Sequence, residues 1–198
     1  LTQTKPGKEP VDHYTYDPAT PVPSRGGLMC CTGTKESVAG SFDQSDIEMR
    51  NDILVYTTEA LKETVKVAGP IEVELYVSSS AKDTDFVAKL IDVYPDGRAF
   101  NIQEGILRAR YREGLDKKVL MKEGEVYKLK ISLQATANAF LAGHKIRLLV
   151  TSSNFPAWDR NLNTGGNNYD ETEWVKANNV IHHGKKYPSH LVLPLMTQ

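Results

Sequence analysis

Residue types that could perform nucleophilic catalysis are present in the chain, but no spacing groups them into a recognisable arrangement. The sequence contains five histidines, 25 acidic residues and many serines. The nucleophilic serine of many hydrolases occupies a Gly-x-Ser-x-Gly turn between a strand and a helix. No such pentapeptide occurs in the 198 residues. Because a catalytic triad needs a serine, a histidine and an acid in defined roles, we predict no catalytic residue in this chain.

The usual zinc ligands, cysteine and histidine, occur here as pairs of neighbours. Cys30 and Cys31 are adjacent, and His182 and His183 are adjacent on a predicted strand. Neighbouring strand residues point to opposite faces of a sheet, so the two histidines cannot hold one ion together. The adjacent cysteines lack the spacing of a zinc site and make a poor disulfide pair. We therefore predict no metal centre of this type and no cofactor.

The stretch of residues 159–170 leaves a calcium site open as an alternative. Asp159, Asn161, Asn163 and Asp170 stand at the first, third, fifth and twelfth positions of a possible calcium loop. The sixth position, which is glycine in such loops, is Thr164, and the twelfth is not glutamate. Asn and Asp also shape loops through hydrogen bonds of their own side chains. A purely structural loop is the other interpretation.

A long predicted hairpin carries acids near its start and arginines near its end. Residues 86–91 and 106–112 alternate with the two-residue period of strands, and residues 95–97, Pro-Asp-Gly, form a turn between them. Asp83 and Asp85 can therefore face Arg108 and Arg110 across the hairpin. One interpretation is a structural ion-pair network at the surface. The other is a partly buried carboxylate that holds an arginine in a bidentate fork.

Overall charge and hydropathy exclude two classes of partner. The formal net charge is -1, and 25% of the residues are charged. Binding to nucleic acid through bulk electrostatics needs a strongly basic surface, so we predict no nucleic-acid partner. No apolar run approaches the ~18 residues of a membrane-spanning helix, so we predict no membrane span. The sequence does not indicate a cellular compartment.

The predicted elements that position these residues are almost all strands. Alternating apolar residues predict strands at the positions listed here: 53–57, 65–67, 71–77, 86–91, 106–112, 127–133, 146–150, 180–183 and 190–195. Residues 69–70, Gly-Pro, are expected to break the second run. Residues 134–142 are expected to form a helical turn or a loop, and residues 171–177 a short helix. Eight or nine strands with little helix predict an antiparallel β-sandwich.

The N-terminal residues are predicted to form a strap, which is an extended segment that lies on the surface of the domain. Residues 1–25 contain five prolines, which remove backbone donors and fix φ, so a central strand or a helix is not expected there. The strap is expected to extend over residues 1–27, to be anchored by Tyr14 and Tyr16, and to end at Gly26 and Gly27.

Six segments, in order along the chain, together resemble one protein family. The chain is similar to the C-terminal domain of the X-Pro dipeptidyl-peptidase/CocE-NonD family of serine hydrolases. The resemblance rests on YDPATPVPSRGG (16–27), DILVYTTEAL (52–61), VAGPIEVELYVSSSAKDTDFVAKLIDVYPDGRA (67–99), GILRARYRE (105–113), FLAGHKIRLLVTSSNFPAWDRNLNTGG (140–166) and YPSHLVLPL (187–195). It implies a single all-β jelly-roll domain over residues 1–198, similar to galactose-binding domains.

The resemblance also implies what the chain works with. In this family the serine, histidine and aspartate of catalysis lie on a separate α/β-hydrolase domain, so the chain is expected to be a non-catalytic piece of a longer hydrolase. Its expected partners are that α/β-hydrolase domain and, through it, a small ester or peptide substrate. A homo-oligomer is a further possibility. The alternative function is a free-standing β-sandwich module that binds carbohydrate or another ligand, with Phe155, Pro156 and Trp158 as an aromatic platform.

Leu28, Met29, Cys30 and Cys31 are the best candidates for a functional contact. The resemblance places the segment after the two glycines near the hydrolase domain, where its apolar side chains would wall the acyl side of the pocket or lie at the domain interface. A buried strand of the sandwich is the alternative for these four residues.

Overall fold

The computed structural model describes residues 1–8, 10–29 and 38–196, and these form two antiparallel sheets. The nine strands in this part of the chain are β1 Asp12–Tyr16, β2 Leu54–Thr57, β3 Val65–Ser79, β4 Asp85–Val93, β5 Ala99–Arg108, β6 Tyr127–Phe140, β7 Lys145–Thr151, β8 Ala177–His182 and β9 His190–Val192. The first sheet has the order β1-β8-β3-β6, with β9 also paired to β3, and the second has the order β2-β7-β4-β5. The predicted all-β sandwich is confirmed.

The main core lies between the inner faces of the two sheets. On β3 it takes Val73, Leu75 and Val77, which alternate with charged or polar residues on the outer face. Facing side chains of β4 and β6 are also fully buried, among them Phe86 and Leu129. Burying each of these large apolar side chains contributes about 1.5–3 kcal/mol, so the alternation itself specifies which face of each strand turns inward.

Strand β4 is buried on both of its faces. All nine of its residues are buried, because a further layer of chain covers the outer face of the second sheet. Val22, Ile47 and Ile53 of that layer pack on Ile91 and on Leu149 of β7. Residues that alternate toward this side, including a lysine, are therefore as buried as those that face the main core.

The strap contributes an edge strand to the first sheet. β1 pairs antiparallel with β8, and the rings of Tyr14 and Tyr16 are buried. The Tyr14 hydroxyl lies 2.8 Å from Ser152 Oγ, and the Tyr16 hydroxyl donates to the Asn161 carbonyl at 3.1 Å. The five prolines lie outside β1, at positions where no ladder bond is required.

The predicted break in β3 was wrong. The strand continues through Gly69 and Pro70, and its register with β6 shifts between Pro70 and Glu72. A bulge of this kind lets a strand pass a residue that has no N–H to donate.

Two predicted helical segments were also wrong. Residues 134–140, expected as a helical turn or loop, extend β6 and pair with the first half of β3, since tertiary pairing outweighs the weak strand preference of alanine and asparagine. Residues 171–176 are irregular, and β8 begins at Ala177.

The returning strand of the hairpin begins and ends earlier than predicted. β5 ends at Arg108, and a 3-10 turn over Ala109–Tyr111 follows. The direction of the Arg110 side chain is therefore set by the 3-10 turn and not by the alternation of a strand. A second 3-10 turn spans Ile47–Met49. Over the described ranges, no helix has the length and apolar character needed to cross a bilayer.

Candidate functional site

The acids and arginines of the hairpin form two ion pairs, in both of which the carboxylate is buried. Arg108 donates from Nε and Nη2 to the two oxygens of Asp85, at 2.9 and 3.0 Å. Asp83 accepts from the backbone N–H and the Nε of Arg110, both at 2.8 Å. Asp83 and Asp85 are at most 1% exposed and Arg110 is 5% exposed. Two-point recognition of this kind fixes the orientation of both partners.

Asn161 joins the two pairs, and its role was not expected from the sequence. Its side-chain amide donates to Asp83 Oδ2 at 2.6 Å and to Asp85 Oδ1 at 2.8 Å. Arg110 reaches the same loop through the Gly166 carbonyl, at 2.6 Å. The loop of residues 159–170 is therefore attached to the hairpin by buried charge-assisted hydrogen bonds. The spacing of Asn161 suggested a calcium ligand, and no local pattern could show which group its amide meets.

Three of the four side chains proposed as calcium ligands have other partners for an oxygen, whereas the buried Asn163 Oδ1 has no hydrogen-bond partner among the described residues. Asp159 accepts from the Tyr169 hydroxyl, Asp170 accepts from the Asn167 amide, and the Asn161 oxygen accepts from Asn163 N–H at 2.9 Å. In the described part of the chain, no three His, Cys, Asp or Glu side chains form a group that could hold a metal ion.

We expect calcium to leave the melting temperature unchanged. A site filled at a hundredfold excess over its Kd would stabilise the fold by about 2.7 kcal/mol, which is roughly 5–10 °C for a chain of this size. Differential scanning fluorimetry with Ca²⁺, with Mg²⁺ as the matched control, measures this. A rise specific to Ca²⁺ that Asp159→Asn abolishes would restore the calcium interpretation.

The segment before Cys30 forms a tight turn. Gly26 and Gly27 have φ of +67° and +74°, a region that residues with a Cβ adopt only at a cost. Gly27 exchanges backbone hydrogen bonds with Gly40, at 2.7 and 3.1 Å. Leu28 follows and is 58% exposed, so it does not lie in a buried strand. Met29 is half-buried, while Cys30 and Cys31 lie outside the described residues.

Further exposed apolar side chains surround this turn. Phe42 lies beside Gly26, and the Ser24 hydroxyl contacts Met29 Sδ at 3.8 Å. Phe155 bonds through its backbone to Val22 and Ser24, at 2.8 and 2.7 Å. We call Leu28, Met29, Phe42 and Phe155 the apolar rim. Pro156 is exposed next to it and Trp158 is half-buried.

A buried polar cluster lies directly beneath the apolar rim. Lys89 of β4 and Glu104 of β5 are cross-strand partners, and each is 2% exposed. Lys89 Nζ lies 3.7 Å from Glu104 Oε2 and donates to Asn154 Oδ1 at 2.7 Å. Asn154 Nδ2 in turn donates to Glu104 Oε2 at 3.1 Å. Burial lowers the pKa of the Lys89 ammonium, and the Glu104 carboxylate opposes that shift.

The histidines make separate structural contacts. His144 Nδ1 lies 2.9 Å from Asp92 Oδ1, and both groups are buried. His182 contacts Ser78 Oγ at 3.0 Å, whereas His183 contacts Asp12 Oδ2 at 2.9 Å. The neighbouring rings thus diverge. No carboxylate in the described residues hydrogen-bonds to His182.

A sequence profile for the X-Pro dipeptidyl-peptidase C-terminal non-catalytic domain matches residues 1–192. The chain belongs to this family. A curated relative of this X-Pro dipeptidyl-peptidase C-terminal domain is the cocaine esterase of Rhodococcus sp. (strain MB1 Bresler). It is 48% identical over 198 residues, which are 99% of this chain and 34% of the relative.

Solved structures of hydrolases contain the same fold. An aminopeptidase from the marine sediment archaeon Thaumarchaeota archaeon superposes with a TM-score of 0.89 at 31% identity, over 98% of this chain and 34% of that one. An α-amino acid ester hydrolase superposes with a TM-score of 0.85 at 29% identity, over 96% and 33%. The chain thus spans about a third of the length of these relatives.

The comparisons confirm the family resemblance and the non-catalytic C-terminal character of the domain in CocE/NonD-type hydrolases. The likeness to galactose-binding domains and the extent of the domain over residues 1–198 stay predictions.

Proposed function

We propose that this domain packs on an α/β-hydrolase domain of the same polypeptide and forms part of the rim of its active site. The observation that carries the proposal is the apolar rim, where Leu28, Phe155 and Phe42 are 58%, 42% and 39% exposed. Contiguous exposed apolar side chains mark interaction surfaces, and aromatic anchors dominate the energetics of such contacts.

The reaction of the whole protein would be acyl transfer to water. A nucleophilic serine on the partner domain would form an acyl-enzyme from a small ester or peptide, with a histidine base and an aspartate that orients it. This assignment is supported by the named activities of the relatives, which are an esterase, an aminopeptidase and an ester hydrolase. The polypeptide that contains residues 1–198 is expected to contain a Gly-x-Ser-x-Gly turn elsewhere in its sequence.

Within this arrangement, Leu28 and Met29 would wall the acyl side of the pocket. Both follow a turn whose glycines fix its direction, and an apolar wall suits the alkyl or aryl part of an acyl group. The buried pairs of Asp83 with Arg110 and Asp85 with Arg108 would serve as a structural network that holds the scaffold behind it.

Enlarging Leu28 is expected to change acyl-group preference. Leu28→Trp in the hydrolase would fill part of the pocket, and one misfitting group is worth about 1–3 kcal/mol of discrimination. We expect the ratio of kcat/KM between a short-chain and a bulky acyl ester to rise by about tenfold or more. Leu115→Trp is the matched control, because Leu115 is 86% exposed outside the rim.

An unchanged acyl ratio in Leu28→Trp would contradict the proposal. If Leu28→Trp and Leu115→Trp both leave the acyl ratio unchanged, the proposed position beside the pocket is wrong. If the polypeptide in addition lacks a Gly-x-Ser-x-Gly turn, a ligand-binding module becomes the better interpretation. Titration of the chain with simple sugars, followed by the fluorescence of Trp158, then tests the exposed Phe155 and Pro156 as a carbohydrate platform.

A further inference from the structure

We infer that Glu104 is a positioning residue that determines acyl-group selectivity, because the buried cluster of Lys89, Glu104 and Asn154 holds both halves of the apolar rim in one arrangement. This inference rests on the proposed function. It assigns to a buried ion pair control over the shape of the pocket wall.

Leu28 and Met29, the first half of the apolar rim, follow a turn that lies against the Glu104 carboxylate. The Leu28 N–H donates to Glu104 Oε1 at 3.4 Å. A Cβ added to Gly27 would lie 2.1 Å from the same oxygen and 2.6 Å from Cδ. The turn therefore approaches the carboxylate so closely that an added Cβ would displace the Glu104 side chain. The position of Glu104 thus helps to fix the backbone from which the Leu28 and Met29 side chains project.

Phe155, in the second half of the apolar rim, is attached to the buried cluster through its neighbour Asn154. Its side chain bridges Lys89 and Glu104, with distances of 2.7 and 3.1 Å, and the next residue along the chain is Phe155. The backbone of Phe155 is paired with residues 22 and 24, just before the glycine turn. One buried cluster thus contacts the two segments that carry the exposed Leu28 and Phe155 side chains.

The chemistry of the cluster favours a geometric role over a stabilising one. Lys89 and Glu104 are almost without solvent contact, and the desolvation of a buried ion pair can exceed its Coulombic gain. Apolar residues of similar volume often replace such pairs without loss of stability. What apolar residues cannot replace is a fixed acceptor aimed at the Leu28 N–H and at the Asn154 amide.

Two double variants separate the acceptor from the charge. Lys89→Met/Glu104→Gln removes both charges but keeps one carbonyl oxygen, which can accept from the Leu28 N–H. The glutamine NH2 then replaces the second oxygen and can donate to Asn154 Oδ1, which no longer accepts from Lys89. Lys89→Met/Glu104→Met removes both charges and the acceptor. Because neither variant leaves an unpaired buried charge, both are expected to fold. Glu72→Gln is the control, since Glu72 forms an exposed pair with Lys130 on the outer face of the first sheet.

The selectivity of the hydrolase is the decisive measurement. In the Met/Met variant we expect the kcat/KM ratio between short-chain and bulky acyl esters to change by about tenfold or more, since small displacements in a site have effects of this size. The Met/Gln variant is expected to stay within about threefold of the parent, which is rescue by the conservative change. Equal ratios in the parent and both double variants would overturn the inference.

Hydrogen exchange of the Leu28 amide in the 198-residue chain provides a readout that needs no catalytic domain. We expect faster exchange in the Met/Met variant and near-parent exchange in Met/Gln, because the acceptor is lost only in the first. Unchanged exchange in Met/Met would overturn the role of Glu104 whatever the activity of the hydrolase. A third outcome is faster exchange in Met/Met with unaltered selectivity of the hydrolase. If Leu28→Trp does change the acyl ratio, that outcome overturns only the role of Glu104 in selectivity. If Leu28→Trp leaves the acyl ratio unchanged, it overturns the proposed function as well.

Discussion

Asp83→Ala is expected to lower the free energy of unfolding by about 3–5 kcal/mol, the usual effect of removing one partner from a buried ion pair. Asp83 is fully buried and accepts three hydrogen bonds, two from Arg110 and one from Asn161. Without the carboxylate, the Arg110 guanidinium stays in a site that is 5% exposed and loses the acid with which it pairs. Urea denaturation, with the m-value compared to confirm two-state behaviour, measures the loss.

The control variant for Asp83→Ala removes an exposed acidic side chain instead of a buried one. Glu125 faces Lys122 at 3.8 Å, and both side chains are more than half exposed. Exposed pairs contribute between zero and about 1 kcal/mol, so Glu125→Ala should leave the denaturation midpoint nearly unchanged. Equal losses in the two variants would show that the Asp83–Arg110 pair does not hold the loop of residues 159–170 to the hairpin.

Gly105→Ala is expected to destabilise the domain by about 1–3 kcal/mol or more, because the two sheets meet at this position without room for a side chain. A Cβ on Gly105 of β5 would lie 2.1 Å from the Ser132 carbonyl oxygen of β6 and 2.9 Å from its carbon. Both atoms belong to the backbone, so no side-chain rotation can relieve the contact. Thermal unfolding in parallel with urea denaturation measures the loss.

A second glycine separates steric overlap from backbone conformation. Gly97, in the turn between β4 and β5, has φ of +93° and no atom within 4 Å of an added Cβ. Gly97→Ala therefore reports only the penalty of a left-handed backbone, about 1–2 kcal/mol. Gly105 has no such φ, so a loss in Gly105→Ala is steric. A Gly105→Ala variant as stable as the parent would mean that the sheets can separate at this edge.

The sequence predicts the sandwich well where burial is one-sided. On β3 the apolar residues Val73, Leu75 and Val77 alternate with outward-facing residues, and a period of two identifies both the strand and its inner face. The second half of β6 cannot be predicted in this way, because residues 134–139 carry no alternating large apolar side chains. Their strand state depends on pairing with residues 65–70, nearly seventy positions away in the chain.

The candidate site shows the same limit. The Asp–Arg composition of the hairpin suggested ion pairs, yet the sequence could not show that Asn161 joins them from a distant loop. Lys89 reads as an outward-facing residue of an amphipathic strand, but it is buried because the covering layer is contributed by residues that precede β2. Contacts of this kind depend on chain segments that meet only in the folded molecule, and no local period encodes them.

The covering layer on β4 also defines the smallest unit of this protein that can be handled as one piece. A truncation that begins at Leu54 would retain eight of the nine strands described here, yet it would strip Val22, Ile47 and Ile53 from Ile91 and Leu149. The bared surface would favour aggregation. A boundary placed at the start of β2 would therefore fall inside the folding unit, and grafting this sandwich onto a catalytic module requires the strap and the covering layer as well.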